Sequence, residues 1–597
     1  MSSANLRRLL VVIVGLALAV ALGPMHVLGD YAKFIVASLA IAFIVVLSVN
    51  LLAGLCGIWS LGHSAYVAVG AYMAANLTDM GVPVEVIVLA SMACAGFLGF
   101  VLGLSAGRFS VLYFGLLTLA LALVATEVIG RWVAVTGGDD GKKVGRAISL
   151  FTSGPIDSRN TVVICLLLAV LTYLIGDLVM RSRFGRRWQA VKGQRIASMA
   201  MGLKPHVENA RSFALSAALA SLSGVGMAYL ISFIDPVAFT LDTSVTMVVG
   251  AVVGGIGSIP GALLGAAFIT AVPEIARDAR GIADFVYGGA MVAVLLWLRQ
   301  GIVPAIHSKI REWRARSRSK SVDQRQAVDA DAISALVKRL LPAATQTLSL
   351  RNVSLQFSGL QVLDEVSFDL PAGQAVGLIG PNGAGKTSLL NVVSGFYVPL
   401  PSTSVKLGEV DVLASTPSGR AALGMGRTFQ HAELFPELTI RQMLVTAAEL
   451  GVPLRRQHAI ALHDPQEVAD LILDGLALQH YRDAFPSELP FGVQKVADIG
   501  RVLAIGASVI SMDEPFSGMD EHECAELRAI LRGMRSAGVS FLIIDHAVQE
   551  VLDICDSVVV LDFGRLLAKG DPAAIRTNPE VRKAYFGSMQ LEENRHV

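Results

Sequence analysis

The first half of the chain carries long apolar segments separated by short polar loops. A helix that crosses a bilayer needs about 20 predominantly apolar residues. Segments of roughly this kind lie at residues 9–28, 34–52, 64–80, 86–104, 112–135, 162–180, 213–233, 245–272 and 285–303. The pattern predicts an α-helical, polytopic membrane domain over residues 1–305.

The first apolar segment has two interpretations. Arg7 and Arg8 precede it, and the sequence AVA at 19–21 resembles a signal-peptide cleavage site. Because further apolar segments follow in the same chain, we favour a first membrane span that is not cleaved.

Basic residues predict the orientation of the helices, because cytoplasmic loops carry an excess of Lys and Arg. Six basic residues and no acid lie in RSRFGRRWQAVKGQR at 181–195, and six with one acid lie in KIREWRARSRSK at 309–320. Both segments and the N-terminus are therefore expected to be cytoplasmic. Between two cytoplasmic segments the chain must cross the membrane an even number of times. Residues 245–272 are therefore predicted to be split at GGIGSIPG, which gives about eight to ten membrane segments.

The pattern changes after residue 305. Residues 306–346 are charged and polar and include an amphipathic piece, DAISALVKRLL, so they predict a basic cytosolic linker that can also lie at anionic lipid headgroups. Residues 347–597 show alternating strands such as LSLRNVSLQF and a buried strand, QAVGLIG, which predict a soluble α/β domain.

Composition agrees with this division. Hydrophobic residues make up 53% of the chain and charged residues 16%, whereas soluble domains carry about 25% charged residues. The net charge of +1 gives no indication of nucleic-acid binding.

A glycine-rich loop follows the buried strand. GPNGAGKT fits the pattern GxxxxGK[ST] and precedes a helical run, which is the context that a phosphate-binding loop requires. Its backbone N–H groups would cradle phosphate oxygens, Lys386 would reach the β- and γ-phosphates, and Thr387 would bind Mg²⁺. The predicted ATP-binding residues are Gly380, Pro381, Asn382, Gly383, Ala384, Gly385, Lys386, Thr387 and Ser388.

An acidic pair ends the apolar strand VISMDEP. Asp513 is predicted to hold Mg²⁺ and Glu514 to polarise the attacking water, although an acidic pair can also be a helix cap or a surface feature. Because the pair follows a phosphate loop, the two motifs together predict an ATPase of the P-loop class.

Three other residues complete the predicted site. Gln430, at the end of GMGRTFQ, could sense Mg²⁺ and the γ-phosphate, and His546, after the strand LIID, could contact the γ-phosphate. Phe357 could stack on adenine. Alternatively, His546 could have only a structural role at the end of its strand, and Phe357 could be a core residue of its strand.

The order of these motifs resembles the nucleotide-binding domain of the ABC transporter family over residues 348–587. The family's signature LSGGQ reads LPFGV here, followed by Gln494, and it is similar to an LPYG-like variant in branched-chain amino-acid importers. Pro490 and Val493 replace a serine and a glutamine, which indicates weaker contact with nucleotide. The resemblance implies that a signature segment faces the ATP of a partner subunit. Its residues are Leu489, Pro490, Phe491, Gly492 and Gln494. The resemblance also implies a loop that crosses to that partner, with residues Ser517, Gly518 and Asp520.

The membrane half resembles the permease subunits of branched-chain amino-acid and related amide importers, notably in NLLAGLCGIWSLGHSAYVAVGAY at 50–72 and in TGGDDG at 136–141. His63 could line the transport path or bond a neighbouring helix. Glu127 and Arg131 could line the path or form a structural ion pair. Residues 181–203 could be the coupling loop that docks on an ATPase, with candidates Arg186, Arg187 and Arg195, or only a basic loop that sets topology.

Together these resemblances imply the fused permease and ATPase of an ABC importer in the inner membrane, with ATP and Mg²⁺ as cofactors. The implied partners are a second permease, a second ATPase, a periplasmic or surface-tethered substrate-binding protein and membrane lipid, with no nucleic acid. The alternative is a homodimeric ABC exporter.

Overall fold

A computed structural model describes residues 13–15, 17, 29–107, 109, 111–150, 156, 161–276, 285, 288–289, 292, 296, 301–303, 329–341 and 346–584. The chain divides into two compact units. The membrane unit comprises Met1–Trp188 and Pro205–Val322, and the ATPase unit comprises Gln189–Lys204 and Asp323–Val597. The predicted segment 309–320 and most of the first apolar segment lie outside the described residues.

The membrane unit is a bundle of apolar helices. Five of its described helices are long and apolar enough to cross a membrane. The apolar helices are α1 (Asp30–Cys56), α2 (His63–Asp79), α3 (Val84–Ser105), α4 (Val111–Arg131), the short α5 (Val133–Thr136), α6 (Thr161–Arg181), α9 (Pro205–Ile231), α10 (Leu241–Gly254) and α11 (Ile259–Ala276). The polar helix α7 (Arg183–Gly193) begins in this unit, and its residues from 189 onward belong to the ATPase unit. The predicted apolar segments between 34 and 272 therefore correspond to helices.

The predicted break in residues 245–272 is present between α10 and α11. Asn50, a buried residue of α1, hydrogen-bonds to the backbone at this break. Its amide nitrogen donates to the Gly255 carbonyl at 2.9 Å, and its oxygen accepts from the Gly257 N–H at 2.7 Å. Unpaired backbone groups are costly inside a membrane, so this one side chain helps to satisfy the polar backbone groups of the turn.

Small residues let the helices approach closely, as expected in membrane bundles. A Cβ atom at Gly70 of α2 would collide with the Ser221 carbonyl of α9, and one at Gly224 of α9 would collide with the Val67 carbonyl. Gly54 of α1 likewise approaches Gly257 closely. Gly57 differs, because it ends α1 in a left-handed conformation, with φ of 70°.

Two sheets form the core of the ATPase unit. A six-stranded sheet has the order β12-β11-β5-β10-β9-β8, in which only β11 and β12 are antiparallel, and a four-stranded antiparallel sheet has the order β4-β3-β6-β7. The strands are β3 (Leu348–Phe357), β4 (Leu360–Leu370), β5 (Ala375–Ile379), β6 (Ser404–Leu407), β7 (Val410–Asp411), β8 (Met425–Arg427), β9 (Val509–Asp513), β10 (Ser540–Ile544), β11 (Ser557–Asp562) and β12 (Arg565–Gly570), while β1 (Lys142–Lys143) and β2 (Phe233–Ile234) pair in the membrane unit.

Helices pack around these sheets. They are α8 (Arg195–Ala200), α12 (Ala330–Leu340), α13 (Lys386–Val393), α14 (Pro417–Ala422), α15 (Ile440–Gln457), α16 (Pro465–Gly475), α17 (Phe491–Ile505), α18 (Glu521–Ser536), α19 (Val548–Ile554) and α20 (Pro572–Thr577). The strands β5, β9 and β10 are buried along their whole length, as expected of strands covered on both faces.

The division into units differs from the predicted domain ranges in the linker. Helix α12 lies inside the expected linker 306–346, yet its apolar side chains belong to the core of the ATPase unit. It fits closely because glycines face it: a Cβ at Gly475 would collide with Leu336, and one at Gly533 with the Ala330 carbonyl. Burial of an amphipathic face thus makes α12 part of the domain.

A second difference is that residues 189–204 group with the ATPase unit. Lys192 forms an ion pair with Glu437 at 2.9 Å, and α8 contacts α14. The apolar side chains of Ala197 and Met201 are buried in the same core as the ATPase helices.

We expect Leu336→Ala to weaken the ATPase unit. The truncation leaves a cavity against α16, a change that costs about 2–5 kcal/mol and lowers a melting temperature by roughly 5–15 °C. The measurement is the temperature at which the intact chain in detergent loses nucleotide binding. Lys338→Ala, on the exposed side of α12, is the control. Equal melting temperatures for the two variants would contradict the assignment of α12 to the core.

Candidate nucleotide site

The phosphate loop connects β5 to α13 and bends through three glycines with positive φ, Gly380, Gly383 and Gly385. A side chain at Gly380 would collide with the Leu561 carbonyl, and one at Gly385 would meet the Leu363 side chain and the Val362 carbonyl. Glycine is therefore required at both positions. The loop leaves Asn382, Gly383 and Thr387 exposed at the start of α13, where a helix N-terminus favours an anion.

Lys386 lies folded against its own loop. Its ammonium donates to the carbonyl oxygens of Gly380 at 2.7 Å and Pro381 at 3.0 Å. Burial lowers the pKa of Lys386, and the nearby carboxylates of Glu514 and Asp513 act in the opposite direction. A buried cation beside a glycine cradle is suited to binding phosphate.

Asp513 ends β9 and is buried. Burial raises the pKa of its carboxyl group, and the guanidinium of Arg427 opposes this increase from 3.4 Å. Arg427 also donates to the side-chain oxygen of Asn391 at 2.6 Å, and thus connects β8 to α13. A buried carboxylate at this position fits a Mg²⁺ ligand, because hard cations prefer oxygen.

The structure brings Gln430, Glu514 and His546 into direct contact. Gln430 Nε2 donates to one carboxylate oxygen of Glu514 at 2.8 Å, and His546 Nε2 lies 2.9 Å from the other. The side chain of Glu514 is only 12% exposed, whereas that of His546 is 53% exposed. The three predicted catalytic residues therefore form one cluster.

Backbone strain marks the Glu514 position. Its φ of 48° is in the left-handed region, which is unfavourable for a residue with a side chain and is frequent at functional sites. The N–H of Glu514 donates to the Ile544 carbonyl at 2.7 Å, which fixes this peptide against the end of β10.

Asp545 organises two loops beside this cluster. It is buried, and its two oxygens accept hydrogen bonds from the backbone N–H groups of Phe516 and Ala547, each at 2.9 Å. One of these groups lies in the loop after Glu514 and the other follows His546. A single carboxylate thus fixes the backbone on both sides of the cluster of predicted catalytic residues.

The predicted signature segment lies at the start of α17. Gln494 donates to the Leu489 carbonyl at 3.0 Å, while Phe491 is 38% exposed. A Cβ at Gly492 would collide with the Glu523 carboxylate, so glycine lets this segment approach α18 without displacing that side chain. Pro490 precedes the helix without a side-chain hydrogen bond to it.

The predicted partner-crossing loop is adjacent to the signature segment. A Cβ at Gly518 would lie 3.2 Å from the Phe491 ring. Asp520 caps α18, since it accepts from the Glu523 N–H at 2.8 Å while the Glu523 carboxylate accepts from the Asp520 N–H at 3.1 Å. Ser517 precedes this cap, and its N–H donates to the Glu514 carbonyl at 3.4 Å.

Phe357, the predicted adenine-stacking residue, is 44% exposed at the end of β3. Its ring packs edge-to-face against Tyr397, with 5.1 Å between centroids. This exposure places it outside the strand core and leaves an aromatic surface that can stack on a base.

The predicted membrane residues do not form one cluster. His63 is buried and bonds Ser216 of α9 at 2.8 Å, and the Ser216 hydroxyl donates to the Ser48 carbonyl of α1. Glu127 and Arg131 pair with each other at 3.1 Å on α4, with side chains 71% and 86% exposed. His63 thus makes the bond to a neighbouring helix that was one of its two expected roles. The Glu127–Arg131 pair lies on an exposed face of α4.

The three predicted coupling arginines are divided between the units. Arg186 and Arg187 lie in α7 within the membrane unit, whereas Arg195 begins α8 in the ATPase unit. Arg186 donates to the Arg181 carbonyl at 3.4 Å, and Arg195 is exposed.

Sequence reasoning missed Asp545, Arg427, Tyr397 and Lys495. Asp545 and Arg427 stand inside motifs that were recognised for a neighbouring residue, LIIDH and GMGRTFQ. The available signal is a charged residue directly before His546 in one motif, and one three positions before Gln430 in the other. Nothing in the sequence pairs Tyr397 with Phe357, because 39 positions separate them and only folding brings the rings together.

We expect Asp545→Ala to slow ATP hydrolysis by about tenfold or more, because two backbone N–H groups lose their acceptor at about 1–3 kcal/mol each. ATP binding should stay nearly unchanged, since the phosphate loop is not altered. The assay is ATPase rate and ATP affinity of the assembled complex. Asp553→Ala, which removes a surface ion pair with Arg576, is the control and should change little. A wild-type rate for Asp545→Ala would contradict this role.

Comparison with protein families agrees with the two units. The model described as the branched-chain amino acid transport system / permease component matches residues 31–295. The ABC transporter model matches residues 363–517, and the branched-chain amino acid ATP-binding cassette transporter model matches residues 565–589. The predicted fold class, a helical membrane region followed by an α/β ATPase domain, is confirmed.

Individual relatives resemble the ATPase part. A probable ABC transporter ATP-binding protein of Azorhizobium caulinodans is 32% identical over 247 residues, which cover 41% of this chain and 85% of that protein. The lipopolysaccharide export system ATP-binding protein LptB of Escherichia coli is 30% identical over a match that covers 40% of this chain and 97% of that protein. The high-affinity branched-chain amino acid transport ATP-binding protein LivG of Salmonella typhimurium is 32% identical over a match that also covers 40% of this chain and 97% of that protein.

These matches confirm the predicted family and its activity. The ATPase domain binds ATP and couples its hydrolysis to transport, and the permease region makes the chain a membrane protein. With both parts in one polypeptide, the chain belongs to the ABC transporter family.

Proposed function

We propose that the chain is the fused permease and ATPase subunit of an importer for branched-chain amino acids or related small amides and acids. The observation that carries this proposal is the branched-chain permease model over residues 31–295, in the same chain as an ABC ATPase. The ATPase relatives alone do not decide between import and export, because their names include both a lipopolysaccharide export system and an amino-acid transport system.

ATP would bind at the end of β5. The backbone of residues 380–388 would hold the phosphates, Lys386 would contact the β- and γ-phosphates, and Phe357 would stack on adenine. Thr387, Gln430 and Asp513 would hold Mg²⁺. The glycine cradle, the exposed Phe357 ring and the buried Asp513 carboxylate support this assignment.

Glu514 would polarise the attacking water, with His546 at the γ-phosphate. Both carboxylate oxygens of Glu514 are occupied by contacts with Gln430 and His546. Each of these oxygens keeps a further lone pair, so Glu514 can accept a hydrogen bond from water while both contacts are present.

The proposed assembly pairs this chain with a second permease and a second ATPase. The signature segment (residues 489–495) would contact the partner's ATP, and Ser517, Gly518 and Asp520 would cross towards the partner. The adjacency of Phe491 and Gly518 supports this pairing, because it places both elements on one surface. Pro490 and Val493 lack the hydrogen-bonding side chains of the family's usual signature, so the two ATP sites would be unequal.

We propose that residues 181–203 couple the two activities. The Lys192–Glu437 ion pair and the contact between α8 and α14 support this role, because they attach residues 189–204 to the ATPase unit. Hydrolysis would then alternate the access of the membrane path. By the distribution of basic residues, the N-terminus and the ATPase domain would be cytoplasmic in the inner membrane, with a periplasmic or surface-tethered protein delivering the substrate.

We expect proteoliposomes containing the complete complex to accumulate leucine when ATP acts on the ATPase side and the substrate-binding protein is on the other side. Glu514→Gln should lower uptake and hydrolysis by about tenfold or more, with ATP binding retained, because catalysis loses its base. Glu467→Gln, an exposed position on α16, is the control.

Two results would contradict the proposal. ATP-driven movement of substrate away from the binding protein would indicate an exporter. Uptake that neither branched-chain amino acids nor small amides and acids compete would overturn the substrate class while leaving the ATPase assignment intact.

A further inference from the structure

Lys495 is a buried lysine that the reaction described above does not use. It lies in the first turns of α17, in the signature segment, and only 5% of the residue is exposed. Lysine is almost never fully buried unless its charge is paired. Its position therefore requires an account in terms of the groups that it contacts.

The ammonium of Lys495 contacts two loops. It donates to the backbone carbonyl of Gln430, after β8, and to that of Glu514 at 3.2 Å, after β9. The same nitrogen lies 5.5 Å from the centroid of the Phe491 ring, which is part of the exposed surface of the signature segment. One side chain thus joins that surface to the backbone of two predicted catalytic residues.

The surrounding charges favour a cation at this position. The carboxylates of Asp498, Asp545, Glu514 and Asp513 act on the ammonium as opposite charges. Charge-assisted hydrogen bonds are stronger than neutral ones. The ammonium therefore holds the two carbonyls more firmly than a neutral donor would.

The Glu514 peptide particularly needs such support, because its backbone is in the left-handed conformation. The Ile544 carbonyl accepts from its N–H and Lys495 donates to its carbonyl, so the residue is fixed on both sides. Without the lysine, the carbonyl side loses its charged partner. The direction of the Glu514 carboxylate should then be less well defined.

We propose that Lys495 is a positioning residue that connects the signature segment to Glu514 and Gln430. Contact of this segment with the partner's ATP would thereby orient the carboxylate that acts on the chain's own ATP. The inference rests on the proposed roles of Glu514 and of the signature segment. It adds a direct physical link, within one chain, between the two ATP sites of the assembly.

The test compares Lys495→Met, Glu514→Gln and the double variant in the complete complex. Lys495→Met should lower kcat for ATP hydrolysis by about tenfold or more while KM stays within about twofold, since positioning acts on the transition state. Because Lys495 acts through Glu514, the double variant should be no slower than Glu514→Gln alone. Lys495→Arg should restore part of the rate lost in Lys495→Met, because it retains a charged donor.

Lys406→Met, at an exposed position on β6, is the matched control and should keep the wild-type rate. A wild-type rate for Lys495→Met would overturn the inference, as would a double variant slower than Glu514→Gln by the full effect of Lys495→Met. A raised KM together with a strongly lowered melting temperature would also overturn it, in favour of a purely structural lysine. If Lys495→Met does not assemble, Lys495→Gln is judged by the same criteria.

The outcome for Glu514→Gln separates this inference from the proposed function. If Glu514→Gln slows hydrolysis and Lys495→Met does not, the positioning role fails and the proposed function stands. If Glu514→Gln hydrolyses ATP at the wild-type rate, the assignment of the catalytic base fails first.

Discussion

The nucleotide site depends on one constraint, which is that neighbouring parallel strands end at the same edge of a sheet. β5, β10, β9 and β8 are consecutive neighbours in the six-stranded sheet. The phosphate loop follows β5, His546 follows β10, Glu514 follows β9 and Gln430 follows β8. Groups up to 166 residues apart in the sequence, from Gly380 to His546, are thereby collected at one edge. The contacts of Glu514 with Gln430 and His546 are a direct result of this topology.

Further polar contacts fix that edge of the sheet against the neighbouring loops and helices. Asp545 fixes the loops on both sides of the cluster, Arg427 joins β8 to α13, and Lys495 joins α17 to the ends of β8 and β9. These side chains are buried and charged, so the loss of one partner is costly. The site is therefore sensitive to movements of α13 and α17, the helices that begin at the phosphate loop and at the signature segment.

Local patterns predicted much of this protein, but not its long-range contacts. Apolar length located the described membrane helices, and GGIGSIPG located the break after Gly254, because both signals depend on neighbouring residues. The motifs located Lys386, Asp513 and Glu514 for the same reason. In contrast, the packing of α12 on the ATPase core, the Asn50 contact with the broken helix and the position of Lys495 depend on residues distant in sequence. A composition boundary at residue 346 could not show that α12 belongs to the following domain.

The central claim is that this chain supplies one permease and one ATPase to an importer with unequal partners. Native mass spectrometry of the complex, purified gently from its own membranes, tests that claim most directly. Our account predicts one copy of this chain together with a different permease and a different ATPase. Two copies of this chain alone would contradict it and would favour the homodimeric exporter.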